Sequence, residues 1–198
     1  MATTLAERMN KFSGSPTSAL IAKVAERQGK DIISLNVGEP DFGTPDYIKV
    51  AGMKAIADNF TKYTPGNGIL ELRQEIVKKL REDNGVEYAL NEVTTAVGAK
   101  QAIASAMMVL AGPGDEVLLP IPCWVSYTEM IRLAGATPVF VPVREDNYEL
   151  DLDAIEKAIT PRTKAIVICT PNNPTGAVYS EESLRKLAAL AVEHDFFV

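Results

Sequence analysis

Residues 165–176, AIVICTPNNPTG, followed by residues 180–192, SEESLRKLAALAV, decide the fold class of this chain. The first five residues form a short apolar run rich in β-branched side chains, the pattern of a strand buried on both faces. Two Asn/Thr-Pro pairs and a glycine then break the chain into a loop. Ser180 is an N-cap, and Glu181 and Glu182 complement the positive end of a helix dipole. Leu184, Leu187, Ala188, Ala191 and Val192 recur at i, i+3, i+4, i+7 and i+8, which predicts a helix with that stripe buried.

Working outward, the same strand–loop–helix unit repeats. Residues 93–97 read as a strand leading into a helix over 100–111, and residues 116–119 as a strand leading into a helix over 125–133. Residues 139–141 form a third apolar run before a helix over 152–159. Such alternation predicts a three-layer α/β/α fold with a mainly parallel sheet. Upstream, residues 1–30 read as an arm plus a helix over 18–27, residues 32–37 as a short apolar stretch, and residues 45–59 as a helix. Ile69, Leu72, Ile76 and Leu80 fall on one helical face, with Gly85 placed for a left-handed C-terminal cap. The expected boundary separates an arm and small-domain segment, residues 1–45, from a larger domain over residues 46–198.

Composition narrows the function. The 198 residues are 46% hydrophobic and 23% charged, with a formal charge of −6, as in a soluble globular protein. An acidic chain without a basic stripe is a poor partner for nucleic acid. No apolar run approaches the roughly 18 residues that span a bilayer, and the N-terminal residues are polar, so a cytoplasmic location is expected. Cys123 and Cys169 lie far apart without CxxC spacing and read as reduced thiols, with no metal cluster. The single histidine, His194, reads as a cation at a helix C-terminus rather than a catalytic base.

Ligands of open α/β sheets bind at the C-terminal ends of strands, so the loops there hold the candidates. Gly98, Ala99 and Lys100 open a helix, where backbone N–H groups can meet an anion. Trp124, the only tryptophan, follows two prolines and offers a flat face to an aromatic ring. In the loop over residues 170–176, which holds Asn172 and Asn173, a buried asparagine can donate a side-chain N–H to a phenolate or carbonyl oxygen, and a cis peptide is expected at Asn173-Pro174. Gly38, within Asn36-Val37-Gly38-Glu39-Pro40-Asp41, can present its N–H to a carboxylate, and Tyr63 can reach a phosphate. Taken singly, each is also an ordinary turn, packing or loop residue.

Together, and in this order, the segments SLNVGEPDFGTP, KYTPGNGILELR, VGAKQAI, PIPCWVSY and TPNNPTGAVY resemble class I aminotransferases. These are fold-type-I pyridoxal-phosphate enzymes, and the likeness is to the prokaryotic aspartate aminotransferase branch. The resemblance implies pyridoxal 5'-phosphate as cofactor and amino-group exchange between an L-amino acid, aspartate foremost, and a 2-oxo acid. An aromatic or alanine aminotransferase, or a non-catalytic module of the same fold, is the alternative. Gly98, Ala99 and Lys100 would cup the phosphate, although the family often has a second glycine where Ala99 stands. Trp124 would stack on the pyridine ring, and Asn173 would bond its hydroxyl; both would also meet substrate, whose carboxylate Gly38 would bind. Tyr63 would reach the partner's phosphate in a homodimer. The resemblance places the Schiff-base lysine, a pyridinium-pairing aspartate and a carboxylate-binding arginine beyond residue 198. The chain is therefore expected to be an N-terminal fragment, with an incomplete large domain and no activity alone.

Overall fold

The computed structural model describes residues 9, 16–27, 33, 35 and 38–198. Most of the apolar stretch at 32–37 and most of the expected arm lie outside the described residues. The chain divides into two compact units, one over Gly14–Ala96 and one built on Val97–Val198.

The first unit holds α1 (Pro16–Ala25), α2 (Asp46–Ala57), α3 (Leu70–Asn84) and a 3-10 turn at Leu90–Glu92. Helix α3 ends as its sequence predicts. Gly85 takes the left-handed conformation at φ +66°, and its N–H donates to the Arg81 carbonyl while that of Val86 donates to Leu80. Of the expected apolar face, Ile76 and Leu80 are half-buried and Leu72 is exposed.

Residues 93–97 do not form the expected strand. Val93 is extended, at φ −114° and ψ 127°, but an extended segment becomes a strand only when a neighbour takes its ladder hydrogen bonds. Here the Thr95 N–H donates instead to the carbonyl of Asn67, in the glycine-rich loop. That loop packs so closely that a Cβ added at Gly68 would lie 2.3 Å from the Thr95 hydroxyl.

The second unit runs α4 (Gly98–Leu110), β1 (Glu116–Ile121), α5 (Ser126–Ala134), β2 (Thr137–Pro142), α6 (Leu152–Ala158), β3 (Thr163–Ile166) and α7 (Glu181–Glu193). Its sheet has the order β2–β1–β3, parallel throughout. Strand side chains alternate between faces. Val117 and Leu119 pack with Met107, Tyr127 and Ile131 of α4 and α5, whereas Leu118 packs with Ile155 of α6 and Leu187 of α7. Helices therefore cover both faces of the sheet, giving the expected three layers. Phe197 makes a further parallel bridge to Ala165 on the β3 side.

Two expectations are corrected here. Strand β3 stops at Ile166 rather than Cys169; Val167 still donates to the Leu118 carbonyl, but the backbone then turns into the loop. The buried stripe of α7 is rotated toward Ser183, Leu187, Leu190 and Ala191, leaving Ala188 exposed and Val192 83% exposed. The N-cap is as predicted, with the Ser180 hydroxyl accepting from the Ser183 N–H at 3.2 Å.

The starts of β1 and β3 are clamped by a buried carboxylate. Glu116 accepts hydrogen bonds from the Thr160 hydroxyl at 2.6 Å and from the Arg162 guanidinium at 3.0 Å, with a second, closer guanidinium contact. Thr160 first, then Arg162, holds its carboxyl below the ordinary glutamate value against the opposing effect of burial. Such a group adds stability above its unfolded pKa, near 4.5, and loses it as acid titrates the folded form. Glu116→Gln should cost about 1–2 kcal/mol at pH 7, the Arg162 side being solvent-screened. The gap from wild type should shrink below about pH 4.5 in urea titrations. A gap independent of pH would remove the electrostatic account.

No helix among the described residues is long and apolar enough to cross a membrane.

Candidate functional site

Three segments of the second unit converge: the start of α4, the loop after β1 and the loop after β3. Helix α4 opens at Gly98, whose φ of +78° lies in the left-handed region. A residue with a Cβ is strained there, and nothing lies within 4 Å of where that Cβ would stand. The backbone thus presents an open, side-chain-free face at the helix N-terminus, where first-turn N–H groups have no carbonyl one turn behind them. Just before it, the Val97 N–H is taken by the Gln101 side chain at 2.6 Å. Ala99 lies inside the helix, so the position that requires glycine is 98.

The Lys100 ammonium sits 5.2 Å from the centroid of the Trp124 ring, a cation–π pair linking α4 to the β1 loop. Trp124 is half-buried against the core on that face of the sheet. The ring of Tyr127 meets it at 5.3 Å and 89°, an edge-to-face arrangement that fixes the plane of the indole. Burial, and then a hydrogen bond with the Cys169 thiol, pushes the Tyr127 phenol up to about 12, so it remains neutral at every physiological pH. Burial likewise raises the Cys123 thiol, which keeps it in the unreactive protonated form.

The loop after β3 is tied to the loop after β1 by Asn172. Only 6% exposed, it donates from its amide nitrogen to the Pro122 carbonyl at 3.0 Å and to the Thr175 hydroxyl at 2.9 Å. Asn173 beside it is exposed. The Asn173-Pro174 peptide is cis, as expected, and so are Ile121-Pro122 and Thr170-Pro171.

Of the candidates read from sequence, the structure therefore joins Lys100 directly to Trp124 and ties the loop of Trp124 to that of Asn173. Gly38 and Tyr63 belong to the other unit, where both are exposed, and Asn36 and Val37 lie outside the described residues. Sequence reasoning missed Tyr127 and Asn172. The first was not detectable by helical spacing, since Trp124 lies in the loop before α5 and only Tyr127 is on the helix. Nor was the second, because nothing in an Asn-Asn doublet says which side chain turns inward. A separate apolar groove, lined by Ile103, Met107, Leu110, Tyr127, Ile166 and Phe197, holds none of the polar candidates.

Comparison with known proteins gives the family and the fold. The chain is 46% identical over 197 residues to the probable aspartate/prephenate aminotransferase of Thermus aquaticus, covering 98% of this chain and 51% of that protein. It is 47% identical to the probable aspartate/prephenate aminotransferase of Aquifex aeolicus, covering 98% and 50%. The solved aspartate aminotransferase from Thermus thermophilus with maleate superposes with a TM-score of 0.94 at 46% identity, over 98% of this chain and 52% of that one. The chain thus spans about half the length of the curated relatives it matches. The profile of the family described as aminotransferase class I and II matches residues 30–198, and the chain belongs to that family.

Proposed function

We propose that this chain provides the cofactor-positioning half of a pyridoxal-phosphate-dependent aminotransferase acting between an L-amino acid, aspartate foremost, and a 2-oxo acid. The observation that carries this reading is the left-handed Gly98 opening α4 beside Trp124, an anion cradle next to a ring platform. The names of its relatives, aspartate/prephenate aminotransferases, support aspartate as amino donor.

The donor set fits the cofactor. The N–H groups of Gly98, Ala99 and Lys100 would bind its phosphate dianion, with the helix dipole and the Lys100 ammonium adding positive charge. Trp124 would cover one face of the pyridine ring, excluding water and holding the ring parallel to the indole. An N–H of Asn173 would be donated to the ring oxygen, favouring its ionised form. The backbone N–H of Gly38 would bind the substrate carboxylate; Trp124 and Asn173 would also border the substrate. When bound, pyridoxal phosphate supplies the electron sink for proton transfers at the substrate's Cα.

The Schiff-base lysine is proposed outside residues 1–198, since no lysine here stands in the motif that carries it. The complete enzyme is proposed to be a cytoplasmic homodimer in which Tyr63 serves the partner's phosphate. The full exposure of Tyr63 within its own unit supports that role. The division into an arm and small-domain segment, residues 1–45, and a cofactor-binding domain, residues 46–198, belongs to the same proposal.

The test is cofactor binding by the complete enzyme proposed here, measured by equilibrium dialysis of pyridoxal phosphate. Trp124→Ala should weaken binding about three- to tenfold, the worth of an aromatic stacking contact. Unchanged affinity would remove Trp124 from the site, and a wild-type protein that retains no cofactor would overturn the reading as a whole.

A further inference from the structure

We infer that Asn172 is the positioning residue of this site: its buried carboxamide sets where Asn173 stands relative to Trp124. This rests on the cofactor-binding reading given above.

Asn173 sits in a stretch, residues 167–180, that forms neither helix nor strand. A functional group must be held within about 0.5 Å and 10–20° of its working geometry, and a loop without support does not achieve that. Asn172 supplies the support in two ways. Its backbone closes the loop on itself, its N–H donating to the Ala177 carbonyl at 2.8 Å and its carbonyl accepting from the Gly176 N–H at 2.8 Å. Its side chain then fastens the closed loop to a second one. A primary amide nitrogen has two hydrogens, and both are used here, one on the Pro122 carbonyl and one on the Thr175 hydroxyl. Thr175 is held in turn by the Ala177 N–H at 3.2 Å.

The geometry has a directional consequence. Pro122 is two residues before Trp124, and Asn172 is the residue before Asn173. One hydrogen bond between residues 50 apart in sequence therefore connects the ring platform to the amide proposed to meet the ring oxygen. The bond is part-buried, with its donor Asn172 only 6% exposed, and it ties the two loops together where no strand pair does so.

The test uses the complete enzyme proposed above, with pyridoxal phosphate as ligand. Its readouts are quenching of tryptophan fluorescence, to which Trp124 is the one contributor within residues 1–198, and the pH midpoint of the bound cofactor's absorbance. Asn172→Asp keeps size and shape but removes both donors and turns a carboxylate oxygen toward the Pro122 carbonyl. It should weaken binding about tenfold, as for a lost hydrogen bond to a charged group. It should also move the midpoint toward that of free pyridoxal phosphate, because the Asn173 N–H no longer meets the ring oxygen squarely. Asn173→Ala should move the midpoint the same way, and the double variant should move it no further. Thr175→Val, which spares the bond to Pro122, should give a smaller change in the same direction, and it decides the matter if Asn172→Asp fails to fold.

A midpoint that responds to Asn173→Ala but to neither Asn172→Asp nor Thr175→Val overturns the positioning role alone. Additive shifts in the double variant overturn it too, since independent residues add. Absence of quenching by pyridoxal phosphate in the wild type overturns the underlying reading and this inference with it.

Discussion

Gly98→Val should weaken pyridoxal phosphate binding about ten- to a hundredfold, the larger of the losses expected in the cofactor site. Gly98 is held at φ +78°, where a side chain costs about 1–2 kcal/mol and a β-branched one is a genuine outlier. The space around it is open, so the valine meets no steric wall and the cost is conformational. The chain can relieve that strain by rotating the peptides flanking residue 98. Rotation re-aims the N–H groups that open α4, and each is worth about 1.5–3 kcal/mol toward an ionised partner. Loss of one such bond accounts for the expected drop in affinity. Equilibrium dialysis reads the affinity, and urea unfolding should show a parallel stability loss of about 1–2 kcal/mol. Wild-type affinity in the valine variant would mean that the phosphate is held elsewhere. Ala99→Gly is the matching control, expected to bind no worse because residue 99 has no left-handed backbone to satisfy.

Leu118→Ala should be the most damaging of the fold substitutions considered, at about 2–5 kcal/mol in urea titration. Leu118 is wholly buried in the middle of β1 and packs with Ile155, Ile166 and Leu187. Its neighbours belong to three different elements, so none can move into the vacated volume without disturbing another. Val192→Ala provides the contrast. The residue is apolar and lies at a position the periodicity assigns to the core, yet it is 83% exposed. Its replacement should change stability by less than about 0.5 kcal/mol. Comparable losses in the two variants would restore the stripe drawn from sequence.

That contrast shows where sequence reasoning succeeds. The alternation of apolar runs and amphipathic helices specified the α/β class, and local signals with a single chemical solution were sound. Gly85 terminates α3 in the left-handed region, and Ser180 caps α7 through its own hydroxyl. Features that depend on a partner were harder. Periodicity gives the width of α7's apolar face, but the sheet that receives the helix sets its rotation, and Ser183 rather than Val192 turns inward. Residues 93–97 have the composition of a strand, but the Thr95 N–H bonds to a loop carbonyl instead of a neighbouring strand. In the site, backbone-encoded features were legible, as with Gly98. The pairing of Lys100 with Trp124 and the inward turn of Asn172 depend on long-range neighbours, which no local window contains.

The central place of β1 has a consequence for motion. The strand is hydrogen-bonded to β2 along its length and to β3 over residues 116–118, and packed by helices on both faces. Its amides are therefore released to solvent only in openings that approach global unfolding. Loops that depart from the rim of a sheet fluctuate with it; the loop bearing Trp124 departs instead from the central strand, which is expected to exchange slowly. Thermal breathing elsewhere in the chain thus leaves the indole's anchor point fixed.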